Sequence, residues 1–140
     1  MDLSSPDGLT FFLDRGLGSR IVAGALRDAG WQLETMDERY GKDSSQRVED
    51  VQWIEEATAK GDVLLCKDLQ IAVNPLEAHC IYMNSARAFG LANRRLKGPP
   101  MVELFLGHAA AVCRMAHRAE GPYVVAISEH GLRRRKLHLP

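Results

Sequence analysis

The segment Thr10–Gly18, TFFLDRGLG, is an apolar run that stops at Asp14 and passes straight into a glycine-rich turn. Phe11, Phe12 and Leu13 form the unbroken hydrophobic run expected of a parallel strand covered on both faces, and Gly16, Gly18 and Ser19 mark the way into a helix. Ligands of open α/β sheets gather outside the carboxyl ends of the strands. Asp14 is therefore either a turn cap or a carboxylate delivered to a site. A second carboxylate arriving in the same way favours the site. Asp62–Asp68, DVLLCKD, repeats the design, with Val63–Cys66 as a buried strand and Asp68 beyond its carboxyl end. A right-handed crossover lays the two strands side by side. Neighbouring strands are ~4.8 Å apart, which brings Asp14 and Asp68 within reach of one divalent cation.

Between these strands, Ser19–Ala29 places Ile21, Val22, Ala25, Leu26 and Ala29 at helical spacing, with Gly30 where a left-handed residue ends a helix. Trp31–Met36 reads as a short strand near a sheet edge. Asp37–Arg47, polar except for Tyr40, reads as a surface loop. The helix expected over Val48–Lys60 puts Asp50 on the face of Val51, Ile54 and Ala57, with Trp53 at its edge and Glu49, Gln52 and Glu56 opposite. A carboxylate at the start of a buried stripe needs a cation, a hydrogen-bond donor or the helix N-terminus itself. Turned toward the strand ends, Asp50 closes a set of three carboxylates. Such a set suits a hard, oxygen-preferring cation, Mg²⁺ or Mn²⁺, which activates water or clamps the oxygens of a phosphodiester during in-line displacement. His79, His108, His117, His130 and His138 show no zinc-binding spacing.

At 140 residues and 46% hydrophobic composition, the chain suits one domain spanning 1–140. No run approaches the ~18 to 20 apolar residues of a membrane span, and MDLSSPDG lacks the basic and apolar character of a signal peptide, so a cytoplasmic, membrane-free protein is expected. Cys66, Cys80 and Cys113 are far apart and form no CxxC pair, which argues against a disulfide framework and for buried small hydrophobes. The net charge of zero conceals an asymmetry. Residues 1–70 hold 14 acidic against 8 basic residues, and residues 71–140 hold 4 against 10. The second half is suited either to a polyanion or to docking against the first.

Taken together, FFLDRGLG, the helix ending in DAGW, the short strand, VEDVQWIEEA and DVLLCKD resemble the PIN-like nuclease domain, over about residues 10–72. More specifically, they resemble the compact VapC-type toxins of toxin–antitoxin pairs. The resemblance implies a three-layer α/β/α, Rossmann-like domain with a mainly parallel sheet, its first and third strands adjacent at the centre. It also implies a Mg²⁺- or Mn²⁺-dependent endoribonuclease in which Asp14, Asp50 and Asp68 bind the metal and carry catalysis, Lys67 fills the family's basic position, and an antitoxin is the protein partner. Relatives commonly place another acid two residues after the last Asp, where this chain has Gln70. That departure leaves a second reading, a PIN-like module that binds RNA or protein without cutting. Asp43, Asn74 and Glu77 are the candidates for a further oxygen ligand, and their spacing does not choose among them. A Rossmann-like phosphatase or phosphotransferase with Asp14 as nucleophile is a third reading, weakened because Arg15-Gly16 stands where the haloacid-dehalogenase family has a second Asp.

Beyond Ile71, the expectation is a helical turn from Asn74-Pro75 to Ala78, a strand over Cys80–Asn84, and a basic loop over Ser85–Pro100. Arg87, Arg94, Arg95 and Lys97 in that loop are candidates to contact RNA phosphates, with Phe89 for stacking. Pro99-Pro100 introduces a long helix, Met101–Arg118, whose apolar face covers the sheet and leaves surface for a homodimer. Tyr123–Ser128 is a strand, and Leu132–Leu139 returns as an edge strand. Arg133, Arg134 and Arg135 there either protect the edge or grip a nucleic-acid backbone.

Overall fold

A computed structural model describes residues 2–140. Its centre is a six-stranded sheet in the order β2-β1-β3-β4-β5-β6, built from β1 (Thr10–Leu13), β2 (Gln32–Glu34), β3 (Val63–Cys66), β4 (Arg87–Leu91), β5 (Tyr123–Ser128) and β6 (Gly131–Arg135). The first five strands in the chain are mutually parallel, and only β6 runs against its neighbour. As the two DVLLCKD-like runs imply, β1 lies directly beside β3, with Phe12 opposite Leu64 and Leu13 opposite Leu65.

Successive side chains of each strand go to opposite layers, which is why the strands read as continuous hydrophobic runs. Phe11, Leu13, Val63, Leu65, Val125 and Ile127 face one core, covered by α1 (Ile21–Asp28), α6 (Pro99–Gly107) and α7 (Ala109–Arg118). Phe12, Leu64, Cys66 and Val124 face the other, covered by α3 (Asp50–Ala59), α4 (Gln70–Val73) and α5 (Pro75–Asn84). The three cysteines are free and buried, as their scatter predicts. No helix of the described residues is long and apolar enough to cross a membrane.

Several elements differ from the sequence expectation, each for a local reason. The polar stretch 37–47 is not a plain loop. Thr35 and Glu38 form a reciprocal capping box that starts α2 (Met36–Tyr40), which Gly41 ends at a φ of 85°. Arg39 on α2 then donates to Glu34 and Asp62 and lies 4.2 Å above the Phe12 ring. Cys80–Asn84 is not a strand but the second half of α5. The Asn74 side chain accepts from the Leu76 and Glu77 amides, Pro75 fits the first turn, and nothing stops the helix before left-handed Ser85.

The fourth strand is instead Arg87–Leu91, so Phe89 is buried in the core and not available for stacking. The long C-terminal helix breaks at Gly107-His108 into α6 and α7, where glycine weakens the helix and lets each half follow the sheet. The return strand begins at Gly131 and stops at Arg135. Beyond it, the His138 amide donates to Ala72 and Leu137 packs on the second core.

Candidate active site

The carboxyl ends of β1 and β3 deliver Asp14 and Asp68 to one cleft, and the first turns of α3 and α5 add Asp50 and Glu77. These four carboxylates line a cavity of about 240 Å³ together with Lys67 and Gln70. A second cleft of about 430 Å³ shares Arg15, Asp50 and Glu77 with the first, so the two adjoin across these side chains.

Each carboxylate is held differently. The Asp14 amide donates to the Leu65 carbonyl, carrying the β1–β3 pairing one residue beyond the strand, and Asp14 Oδ1 accepts from the Leu17 amide at 3.2 Å. Burial, and then the Asp68 charge, push its carboxyl up to about 7, against the opposing pull of the Lys67, Leu17 and Gly16 amides. Asp68 accepts from the Gln70 amide at 3.0 Å. Asp50 accepts from Trp53 Nε1–H at 2.9 Å and lies 3.7 Å from the Arg15 guanidinium.

Helical periodicity places Asp50 on the buried face with Trp53 at its edge; the structure reverses this. Trp53 is 1% exposed, whereas the Asp50 side chain is 43% exposed at the cleft rim. Arg15 also donates to the carbonyls of Ser45, Gln46 and Val48, tying that segment to the end of β1.

Glu77 is the residue that spacing did not single out. Burial pushes its carboxyl up to about 7, followed by the charge of Asp50, a hydrogen bond with it, and the charges of Asp68 and Asp14. Of the other two candidates, Asn74 is occupied in capping α5 and Asp43 is exposed at the start of a 3-10 turn. The signal for Glu77 was Asn-Pro-x-Glu, which starts a helix and sets its third residue beside the cap. It was masked because an acid in a first turn is expected for the helix's own sake. Cys66, behind the cluster, is pushed far above the ordinary thiol range by burial and the surrounding carboxylates, and so is no nucleophile.

Among the described residues, no three carboxylate, imidazole or thiol groups stand close enough to coordinate one ion as their side chains are placed. The donor set nevertheless fits a hard divalent cation. All four groups are oxygen donors in one cleft, and burial together with neighbouring carboxylates raises the Asp14 and Glu77 carboxyls, a crowding of negative groups that a bound cation would relieve. Gln70 lines the same cavity and contributes a neutral amide.

The expected cationic residues fall into three groups. Lys67 lies in the cleft, and Arg94, Arg95 and Lys97 are exposed on the turn leaving β4 at the same edge of the sheet. Arg133, Arg134 and Arg135 sit on the far edge strand, and β6 runs away from the carboxyl edge, so they are not brought to the cleft. Arg87 is placed wrongly by the sequence reading. It begins β4 at the opposite end of the sheet and donates to the carbonyls of Ala116 (2.6 Å) and Gly61 (3.0 Å), a structural cross-link.

This parallel sheet with carboxylates converging beyond β1 and β3 defines a class, and the family comparison agrees. Residues 9–93 match the model of the PIN like domain, and the chain belongs to that family. It is 33% identical over 116 residues, 83% of each chain, to the protein named "Putative ribonuclease VapC45" of Mycobacterium tuberculosis (strain ATCC 25618 / H37Rv). No solved structure matches.

Arg87→Met is expected to lower stability by about 1–3 kcal/mol through the two carbonyls it leaves without a charged donor. Urea denaturation checks this, and an unchanged midpoint would mean that the two carbonyls are satisfied without the guanidinium.

Proposed function

We propose that this chain, acting as one PIN-like domain over 1–140, is a metal-dependent endoribonuclease and the toxin of a toxin–antitoxin pair. One observation carries the reading: four carboxylates from four separate elements line a single cleft, in a chain one-third identical to a protein named as a ribonuclease. Asp14 and Asp68, fixed by strand pairing and by the turn after β3, together with Asp50 and Glu77, would hold Mg²⁺ or Mn²⁺. Bound there, the ion supplies Lewis acidity and an activated water for in-line displacement at phosphorus. Trp53 keeps Asp50 turned toward the cleft, and Lys67 offers a cation for the phosphate. Arg94, Arg95 and Lys97 supply the flanking backbone contacts. The same acidic cleft suits a basic or bulky side chain of an antitoxin, and the apolar helical surface suits a second copy of the chain. The protein would act in the cytoplasm.

Gln70 favours a second reading, in which the cleft binds without cutting. Incubating a structured RNA mixture with the purified chain in Mn²⁺, in Mg²⁺ and in EDTA separates the two. The expected result is cleavage in both metals and none in EDTA, lost again in Asp68→Asn. A folded chain that cuts in none of the conditions and binds no Mn²⁺ leaves only the binding module.

A further inference from the structure

A cavity of about 450 Å³ lies outside the carboxyl ends of β4 and β5, on the α6 side of the sheet, and the proposed chemistry does not use it. Its apolar walls are Ala92, Leu96 and Leu104, and its polar groups include Glu103, Ser128 and Glu129. It is near the acidic cleft along the backbone. Gly90 of β4 packs against the Asp68 carbonyl, and Ala92 is two residues further on, ~7 Å along an extended chain. The turn between Ala92 and α6 carries Arg94, Arg95 and Lys97, all exposed, and no acid.

We propose that this cavity binds one base of single-stranded RNA beside the scissile phosphate, and that it favours a base carrying an amino group. The inference rests on the ribonuclease reading above and deepens it. A nucleotide is an anion joined to a flat, largely apolar ring, and this surface divides in the same way. Glu103 and Glu129 at the cavity repel a phosphate, whereas the three cations on the adjoining turn attract one. The backbone therefore follows the turn, and the base enters between Leu96 and Leu104. Ser128 Oγ already accepts from the His130 amide at 3.2 Å, which leaves its O–H to donate. A carboxylate accepts and cannot donate, so Glu103 pairs with an exocyclic amino group, as on cytosine, and opposes the carbonyl that uracil presents at that position.

Fluorescence anisotropy of labelled cytidine and uridine hexamers on the full chain, in EDTA and again with Ca²⁺, tests this without requiring cleavage. The cytidine hexamer should bind about tenfold more tightly. Glu103→Gln, an exposed change on α6, should bring the two hexamers within about twofold, and Ser128→Phe, which puts a ring where the base would sit, should lower cytidine affinity to the uridine level. Equal binding of the two hexamers by the unmodified chain, a preference that survives both variants, or no binding in either condition would overturn the proposal. A cytidine preference in a chain that cuts no RNA with Mn²⁺ would instead defeat the nuclease reading and leave the base site standing.

Discussion

Asp14→Asn is expected to abolish metal-dependent cleavage while making the metal-free protein more stable at pH 8. Asparagine keeps the shape of the side chain and the oxygen that accepts from the Leu17 amide, so the turn after β1 is preserved. What it removes is the negative charge. The rate should fall by roughly 10³-fold, a loss of about 4 kcal/mol of transition-state stabilisation. The stability effect has the opposite sign. The Asp14 carboxyl is raised from 3.8 to about 7 in the folded chain, so between those values the folded state holds a proton that the unfolded state has released. Stability of the wild-type protein in EDTA therefore falls as pH rises from about 4 through about 7, and the loss is complete above that, on the order of 2–4 kcal/mol. The asparagine variant lacks Asp14's share of this slope and keeps the share from Glu77, whose carboxyl burial also raises to about 7. Thermal unfolding at pH 5 and pH 8, with EDTA and with Mn²⁺, reads all of it: the variant should exceed wild type at pH 8 in EDTA and gain nothing from Mn²⁺. A variant less stable than wild type at pH 8 without metal would show that the Asp14 charge is already compensated.

The second large effect comes from a glycine remote from the carboxylates in sequence. A methyl group at Gly90 would overlap the Asp68 carbonyl oxygen and approach Leu69 Cδ2 to 2.9 Å. Backbone cannot rotate away as a side-chain tip can, so Gly90→Ala must shift the turn between β3 and α4. Overpacking of this kind costs about 1–3 kcal/mol, a fall in Tm of roughly 5–10 °C. The same shift displaces Asp68, and a misplacement of ~1 Å at a reacting centre lowers the rate by about 10²-fold. Gly24→Ala is the control. It lies in α1, where an added methyl meets nothing within 4 Å, and it should stabilise by about 0.5–1 kcal/mol. Activity assayed at a temperature where both variants remain folded distinguishes a displaced carboxylate from simple unfolding. Full activity in folded Gly90→Ala would mean that the turn yields without moving Asp68.

The elements readable from sequence were those in which one physical demand dominates. A strand buried on both faces must be apolar throughout, and FFL and VLLC satisfy that so completely that their pairing and the placing of Asp14 and Asp68 followed. β4 gave no such signal. Its sequence RAFGL opens on an arginine recruited by distant carbonyls and contains a glycine required by a neighbouring turn, both consequences of tertiary contact. Cys80–Asn84 is apolar enough for a strand and was claimed for α5 by a cap six residues earlier. Asp50 and Trp53 exchanged places because periodicity ranks the faces of a helix without saying where the helix overhangs its sheet. Asp50, the first residue of α3, lines the cleft, whereas Trp53, three residues on, is buried in the core and reaches back to it through a hydrogen bond.

The strand order carries a consequence for how the protein comes into being. From β1 through β3, β4, β5 and β6 the sheet grows outward in the order in which a ribosome extends the chain, and no later strand has to be threaded between two already paired. All four carboxylates have emerged once α5 is complete at Asn84, before the turn bearing Arg94, Arg95 and Lys97 has been synthesised. The nascent chain thus carries all the acids proposed to hold a cation ahead of the positive flank proposed to draw RNA toward them, and the newborn protein gains its charge asymmetry in time as well as in space.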